Sequence, residues 1–117
     1  MKKVIVQDTD PDLLDTLTIV LKEAKFRVIP VLHYHDVIKE TNVFLPNLIL
    51  LDYKLEGVEC IWLCQQLKKS FPDIPVIALS CNLNIKDKYA KAGFDSYIEK
   101  PFDLHHLISV VESYVLV

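Results

Sequence analysis

Three acidic side chains follow the first apolar segment of the chain, the sequence VIVQ at residues 4–7. Asp8, Asp10 and Asp12 lie within five positions, and Thr9 separates the first two. Acids gathered at the end of an apolar strand are typical of a site for a metal ion or a phosphate group. The chemistry then depends on which residues elsewhere in the chain meet these acids.

The bulk composition indicates one compact domain over residues 1–117. At 117 residues and 51% hydrophobic composition, the chain is large enough to bury a sizeable core. The net charge of -3 offers nothing that would attract nucleic acid or an anionic membrane surface. No apolar run approaches the ~20 residues that cross a bilayer, and no basic segment followed by an apolar one opens the chain. We therefore expect a cytoplasmic protein without direct nucleic-acid or membrane contact.

The cysteines and histidines lack the spacing of a metal site. The three cysteines form no Cys-x-x-Cys pair, and the two histidine pairs lack helical metal-ligand spacing. We interpret the thiols as reduced and small apolar in character, and the histidines as surface or helix residues. The residues concerned are Cys60, Cys64, Cys81, His33, His35, His105 and His106.

Short apolar or β-branched segments alternate with longer segments of helical periodicity. The short segments predict strands at residues 4–7, 27–32, 48–51, 75–79 and 96–99. Five strands alternating with five helices predict a single-domain α/β fold, a (βα)5 doubly wound parallel sheet covered on both faces. Pro30 cannot donate a ladder hydrogen bond, so the second strand is expected at the sheet edge.

The helix ends are marked by their own signals. Asp10 is a good N-cap for the first helix, with Pro11 at its first position. Gly93 is expected to end the fourth helix in the left-handed conformation, and Asp103 to cap the fifth. The residues expected on the inner face of the fifth helix are Leu104, Leu107, Ile108, Val111 and Tyr114.

The carboxyl ends of the predicted strands gather polar residues, and ligands of open parallel sheets bind at that edge. The first strand runs into Asp8, and the third ends at Asp52. The fourth ends at Ser80, and the fifth at Lys100 followed by Pro101. Two carboxylates, a hydroxyl and a lysine on one rim suit a phosphoryl group together with a hard cation.

Four segments cover essentially the whole chain in order: KKVIVQDTDPDLL, PNLILLDYKLEG, IPVIALS and AGFDSYIEKPF. Together they resemble the receiver domain of two-component response regulators. The resemblance implies the flavodoxin-like fold of the chemotaxis regulators, with strand order 2-1-3-4-5, which agrees with Pro30 in an edge strand. It also implies a phosphoacceptor module in bacterial phosphorelay signalling rather than an enzyme.

The resemblance assigns roles to the residues on the rim. Asp52 becomes the phosphoacceptor, which attacks the phosphorus of a phospho-histidine on a histidine kinase or phosphotransfer protein, or of a small phosphodonor. Lys100 pairs with the phosphoryl oxygens, and Pro101 often follows a cis peptide bond in this family. Ser80 bonds the new phosphoryl group, and Tyr97 swings inward behind it as an aromatic switch.

The resemblance also implies Mg²⁺, held by Asp8, Asp52 and the backbone carbonyl of Lys54. The family has two adjacent acids after the first strand, whereas Thr9 replaces the second acid in this chain. A hydroxyl can ligate Mg²⁺ but supplies no negative charge, so we expect weakened binding. Asp10 is interpreted as the helix cap rather than as a substitute ligand.

Milder departures concern the loops and the partner surface. Glu56 stands where a proline is common, and the loop and helix after Ser80 look short. Lys25 occupies a helix exit that is often glycine, where a left-handed conformation is unfavourable. The resemblance implies a downstream protein on the face formed by helix four, strand five and helix five. A homodimer through the last helix is left open.

Two other functions compete with a phosphorylation-switched receiver. One is a degenerate receiver, a binding module independent of phosphate. Thr9 favours it, whereas the intact Asp52, Ser80, Tyr97 and Lys100 argue against it. The other is a phosphatase, because Asp8 and Asp10 resemble the Asp-x-Asp motif of the haloacid dehalogenase-like enzymes. However, Asp12 stands where that family prefers Thr or Val, and Asp52 would have no role.

Overall fold

The computed structural model describes residues 1–54, 57–81, 85–100 and 103–115, and five parallel strands form one sheet within them. The strand order β2-β1-β3-β4-β5 confirms the predicted topology, with β2 and its Pro30 at one edge. The features predicted at Glu56 and Pro101 lie outside the described residues. The strands are β1 (Lys3–Gln7), β2 (Arg27–Val31), β3 (Leu48–Tyr53), β4 (Val76–Ser80) and β5 (Ser96–Glu99).

In the described parts of the chain, five α-helices cover the two faces of the sheet, and one short 3-10 helix, Tyr34–Asp36, precedes the second of them. The carboxylate of Asp10 accepts hydrogen bonds from the backbone N–H groups of Asp12 and Leu13, at 3.0 and 3.4 Å, which confirms its role as N-cap. Asp103 likewise accepts from the N–H of His105 at 2.8 Å. The α-helices are α1 (Pro11–Glu23), α2 (Val37–Phe44), α3 (Val58–Ser70), α4 (Ile85–Ala92) and α5 (Leu104–Val115).

Two hydrophobic cores lie on opposite faces of the sheet. Residues of β1 alternate between them, since Val4 and Val6 pack with α1 and α5 while Ile5 packs with α2, α3 and α4. All six residues of β3 are buried, as expected for a central strand. With both faces covered, the strand ends are where polar side chains can meet solvent. Within the described ranges, no helix is both long enough and apolar enough to cross a membrane.

The ends of α1 and α4 agree with the sequence signals, whereas the buried face of α5 differs from the prediction. Lys25 and Gly93 both have positive φ, at 74° and 102°, so Lys25 takes the conformation that glycine adopts more easily. On α5, Leu104 and Tyr114 are 39% and 38% exposed, and Val115 is buried instead. The prediction that Leu104 and Tyr114 lie on the inner face was therefore wrong, because the buried stripe runs through Leu107, Val111 and Val115.

Candidate functional site

Lys100 lies between two buried carboxylates at the carboxyl edge of the sheet. Its Nζ is 2.8 Å from Oδ2 of Asp8 and 2.9 Å from Oδ1 of Asp52. Asp8 follows β1 and Asp52 lies near the end of the adjacent β3, so the parallel topology sets them side by side. Asp8 is 1% exposed and Asp52 is 6% exposed. The three charged residues predicted at this rim are thus brought together.

The charge balance at this contact explains how the acids tolerate burial. Burial by itself would lower the pKa of Lys100, but the hydrogen bonds and charges of Asp8 and Asp52 outweigh it and raise that pKa above its usual value. Lys100 therefore carries its charge throughout the neutral range. Two carboxylates facing one ammonium leave the pocket with one excess negative charge, which favours a cation.

Thr9 contacts Asp52 directly. Its Oγ1 donates to Oδ2 of Asp52 at 3.1 Å, so Lys100 and Thr9 hold opposite oxygens of the same carboxylate. The second oxygen of Asp8 accepts from the backbone N–H of Asp10 at 2.9 Å. Thr9 thus faces the predicted acceptor, and it brings a hydrogen-bond donor where the resemblance to receiver domains implies an acid.

Two side chains that sequence reasoning missed hold the main chain of Asp52. Its N–H donates to Oε1 of Gln7 at 3.2 Å, and its carbonyl oxygen accepts from the hydroxyl of Tyr34. Gln7 is fully buried, and a glutamine at the end of an apolar strand is a signal that could have been noticed. Tyr34 lies in the connection between β2 and α2, where no local pattern points to Asp52.

Ser80 and Tyr97, the two predicted switch residues, have different surroundings. Ser80 is buried at the end of β4, in register with Tyr53, and its carbonyl oxygen accepts from the N–H of Lys100 at 2.7 Å. Tyr97 is half-buried in β5 and packs against Tyr89 of α4, with ring centroids 5.0 Å apart. Ser80 therefore borders the site, whereas Tyr97 lies behind it against α4.

A cavity of about 610 Å³ opens the charged group to solvent. The residues whose oxygens were predicted to hold Mg²⁺, Asp8, Thr9, Asp52 and Lys54, all line this cavity. Hard oxygen ligands of this kind fit Mg²⁺. No cluster of three acids, histidines or cysteines suited to a metal occurs in the described residues. The cavity is lined by Asp8, Thr9, Asp10, Leu13, Asp52, Tyr53, Lys54, Cys81 and Lys100.

The remaining thiols and imidazoles lie apart from this geometry. Cys60 and Cys64 are buried on α3, as predicted for small apolar residues. Burial raises the pKa of both thiols, that of Cys64 to about 12, so both stay protonated at neutral pH. Cys81 is exposed and lines the cavity. The four histidines, His33, His35, His105 and His106, are exposed.

Replacing Lys100 by methionine should leave Asp8 and Asp52 without their shared partner, and we expect a loss of about 3 kcal/mol in the free energy of unfolding at pH 7. Because folding raises the pKa of Lys100, the wild-type advantage should be complete below the unfolded lysine pKa of about 10.4. It should decline as the pH rises through the folded value.

Urea unfolding of wild type and Lys100→Met from pH 7 to pH 11 measures this difference. Lys39→Met, at an exposed lysine of α2, is the control and should change stability little. A loss at pH 7 no larger than that of the control would contradict the bridging role of Lys100.

Nearly the whole chain matches known proteins. A family model described as the response regulator receiver domain matches residues 4–112. The chain is 32% identical over 120 residues to the DNA-binding dual master transcriptional regulator RpaA of Synechocystis sp., covering 97% of this chain and 48% of that protein. It therefore spans about half the length of this relative.

Solved structures of similar sequence share the fold. A response regulator from Thermotoga maritima has a TM-score of 0.89 at 25% identity, covering 100% of this chain and 99% of that one. A BeF3-activated DrrB receiver domain has a TM-score of 0.86 at 25% identity, with the same coverage. The family match extends over nearly the whole chain. It includes all five strands except Lys3, the first residue of β1. The chain belongs to the response regulator receiver domain family.

Proposed function

We propose that this domain is a phosphorylation-switched receiver in which Asp52 accepts the phosphoryl group. The observation that carries the proposal is the setting of the Asp52 carboxylate. It lies near the end of a central strand, it is bonded by Lys100 at 2.9 Å and by Thr9 at 3.1 Å, and it borders an open cavity. The donor is a histidine kinase, a phosphotransfer protein or a small acyl phosphate.

The proposed transfer needs few groups. A carboxylate oxygen of Asp52 attacks phosphorus, the bond from phosphorus to the donor's leaving group breaks, and an acyl phosphate forms on Asp52. Phosphoryl transfer depends mainly on positioning and on neutralising the phosphoryl oxygens. Lys100 carries the charge for the second task, and its contact with Asp52 in the free protein holds it beside the reacting oxygen.

Mg²⁺, when bound, supplies further positive charge for the phosphoryl oxygens. Asp8, Asp52 and the backbone carbonyl of Lys54 are the groups that would hold it. The hydroxyl of Thr9 would contribute an oxygen without a charge, so the affinity should be lower than in a site with an additional acid.

Phosphorylation would be read out on the face formed by α4, β5 and α5. Ser80 borders the site and would bond the new phosphoryl group, while Tyr97 packs on Tyr89 of α4. An inward movement of Tyr97 would break that ring contact and change the surface that a downstream protein meets, which is a local charge event with a remote readout. We propose no direct nucleic-acid contact for this domain, since its net charge is -3.

Incubation with acetyl phosphate and Mg²⁺, followed by intact mass, tests the acceptor. We expect one added phosphoryl group on the wild type and none on Asp52→Asn. The likeness to a BeF3-activated DrrB domain supports this expectation. An unmodified wild type would contradict the proposal.

The same experiment on Asp8→Asn separates the phosphatase alternative. In the receiver, the label should be absent from Asp52→Asn and still form, more slowly, on Asp8→Asn. The inverse result would favour Asp8 as nucleophile. The structure offers Asp10 little freedom for a catalytic role, because its carboxylate caps α1.

One observation favours the second candidate, a degenerate receiver: Thr9 donates a hydrogen bond to Asp52 where the family has an acid. Thr9→Asp should restore the missing charge and raise Mg²⁺ affinity by about tenfold, a change of about 1.4 kcal/mol. Calorimetric titration with Mg²⁺ measures the change.

Thr16→Asp adds the same charge at an exposed position of α1 and is the matched control. Equal Mg²⁺ affinities in the two variants would contradict the placement of Thr9 at the metal. Phosphorylation that occurs in Thr9→Asp but not in the wild type would favour the degenerate receiver.

A further inference from the structure

On the side that faces β1, the main chain of Asp52 is held by side chains, whereas on the other side β3 stays in register with β4 through Tyr53 and Ser80. In a parallel sheet, the N–H and C=O of one residue point to the same adjacent strand. Strand β1 pairs with β3 only as far as Gln7 and Leu51, so Asp52 lies one residue past that pairing. Both of its main-chain groups would lack partners on the β1 side, and buried main-chain groups are costly to leave unpaired.

Gln7 satisfies the first of these groups. Its side-chain oxygen accepts from the N–H of Asp52 at 3.2 Å, and its side-chain nitrogen donates to the carbonyl of Leu32 at 3.1 Å. Next to it, the N–H of Asp8 donates to the carbonyl of Val31 at 3.2 Å. The buried amide of Gln7 therefore ties Asp52 to the end of β2.

Tyr34 satisfies the second group from the other direction. Its hydroxyl donates to the carbonyl oxygen of Asp52 and also lies in hydrogen-bonding contact with the thiol of Cys60 on α3. A tyrosine hydroxyl, with an ordinary pKa of about 10, keeps its proton at neutral pH, so Tyr34 can donate to the Asp52 carbonyl. Cys60 also keeps its proton, because burial raises the pKa of its thiol.

The ring of Tyr34 reaches from this buried contact to the surface. It lines a second cavity of about 450 Å³ between the Tyr34–Asp36 turn, α2 and α3. Trp62, which is 57% exposed, and Val58, which is 73% exposed, line the same cavity. One side chain thus contacts both the Asp52 peptide and the surroundings of the only tryptophan in the chain.

We propose that Tyr34 is a positioning residue for the phosphoacceptor, which sets the orientation of the Asp52 peptide and transmits its changes to Trp62. The inference rests on the proposed function of Asp52. The physical reason is that the peptide plane and the carboxylate share one Cα atom. If the carbonyl loses its donor, the peptide can rotate, and the carboxylate then moves relative to Lys100 and Thr9. Misplacement of a reacting group lowers the rate of reaction even when the group itself is intact.

Two tyrosine variants form a matched pair for the test. Tyr34→Phe removes only the hydroxyl that donates to the Asp52 carbonyl. Tyr114→Phe removes a hydroxyl that donates to the carbonyl of Asp95 at 3.0 Å, at the opposite end of β5 from Lys100. Each variant loses one tyrosine hydroxyl and its hydrogen bond to a main-chain carbonyl of an aspartate, and Tyr34→Phe also loses the contact with Cys60.

Carbonyl ¹³C NMR of the free proteins reads the contact itself. We expect the Asp52 carbonyl and the Tyr53 amide resonances to move in Tyr34→Phe and to stay in place in Tyr114→Phe. With acetyl phosphate and Mg²⁺, we expect Tyr34→Phe to take up phosphoryl about three to ten times more slowly than the control, the range that one lost hydrogen bond allows.

Trp62 fluorescence supplies a readout that a merely structural role would leave unchanged. Beryllofluoride with Mg²⁺ should change Trp62 emission in the wild type and in Tyr114→Phe, and the change should be lost in Tyr34→Phe. If Tyr34→Phe matches Tyr114→Phe in the Asp52 carbonyl shift, the uptake rate and the emission change, the inference is wrong.

The design separates failure of the inference from failure of the proposed function. A wild type that takes up no phosphoryl group contradicts the proposed function. The Asp52 carbonyl resonance is read on the free protein and still decides whether Tyr34 orients that peptide. An unmoved carbonyl in Tyr34→Phe overturns the positioning role even where the wild type is phosphorylated.

Discussion

The structure depends on one ammonium group held between two buried carboxylates. Lys100 comes from the end of β5, whereas Asp8 and Asp52 come from the ends of β1 and β3. Two like charges buried side by side would repel each other, and each would lack the water that normally solvates it. The charge of Lys100 therefore stabilises the two acids at the ends of the central strands. Its contacts also join the first and last parts of the chain at the proposed site of phosphoryl transfer.

Thr9 sets part of the electrostatics of this arrangement. A second acid at this position would give the pocket another uncompensated negative charge and a stronger attraction for Mg²⁺. A hydroxyl instead donates to Asp52 at 3.1 Å, which helps to stabilise the carboxylate in the free protein. The charge of the free site is therefore already partly neutralised by its own residues. Its attraction for a cation should be weaker than that of a site with three acids.

Much of the fold could be predicted from local signals and from the resemblance to receiver domains. Alternating periods predicted the five strands, Pro30 indicated the edge strand, and Asp10 before Pro11 marked the start of α1. The contacts of Gln7 and Tyr34 with Asp52 could not be predicted in this way. They depend on where β1 stops relative to β3 and on a 3-10 turn between β2 and α2, and both features are set by tertiary packing. Leu104 is a further example, because helical spacing predicts an apolar stripe on α5 but not which of its residues the sheet covers.

The most direct test of the account is an amide NMR titration of the ¹⁵N-labelled protein with beryllofluoride and Mg²⁺, since beryllofluoride stands in for the phosphoryl group on a carboxylate. Saturation should shift the resonances of Thr9, Tyr53 and Lys100 around Asp52, and those of Ser80 and Tyr97 toward α4. Mg²⁺ alone should produce only the changes near the acids. A spectrum that stays the same at saturating beryllofluoride and Mg²⁺ would contradict the account.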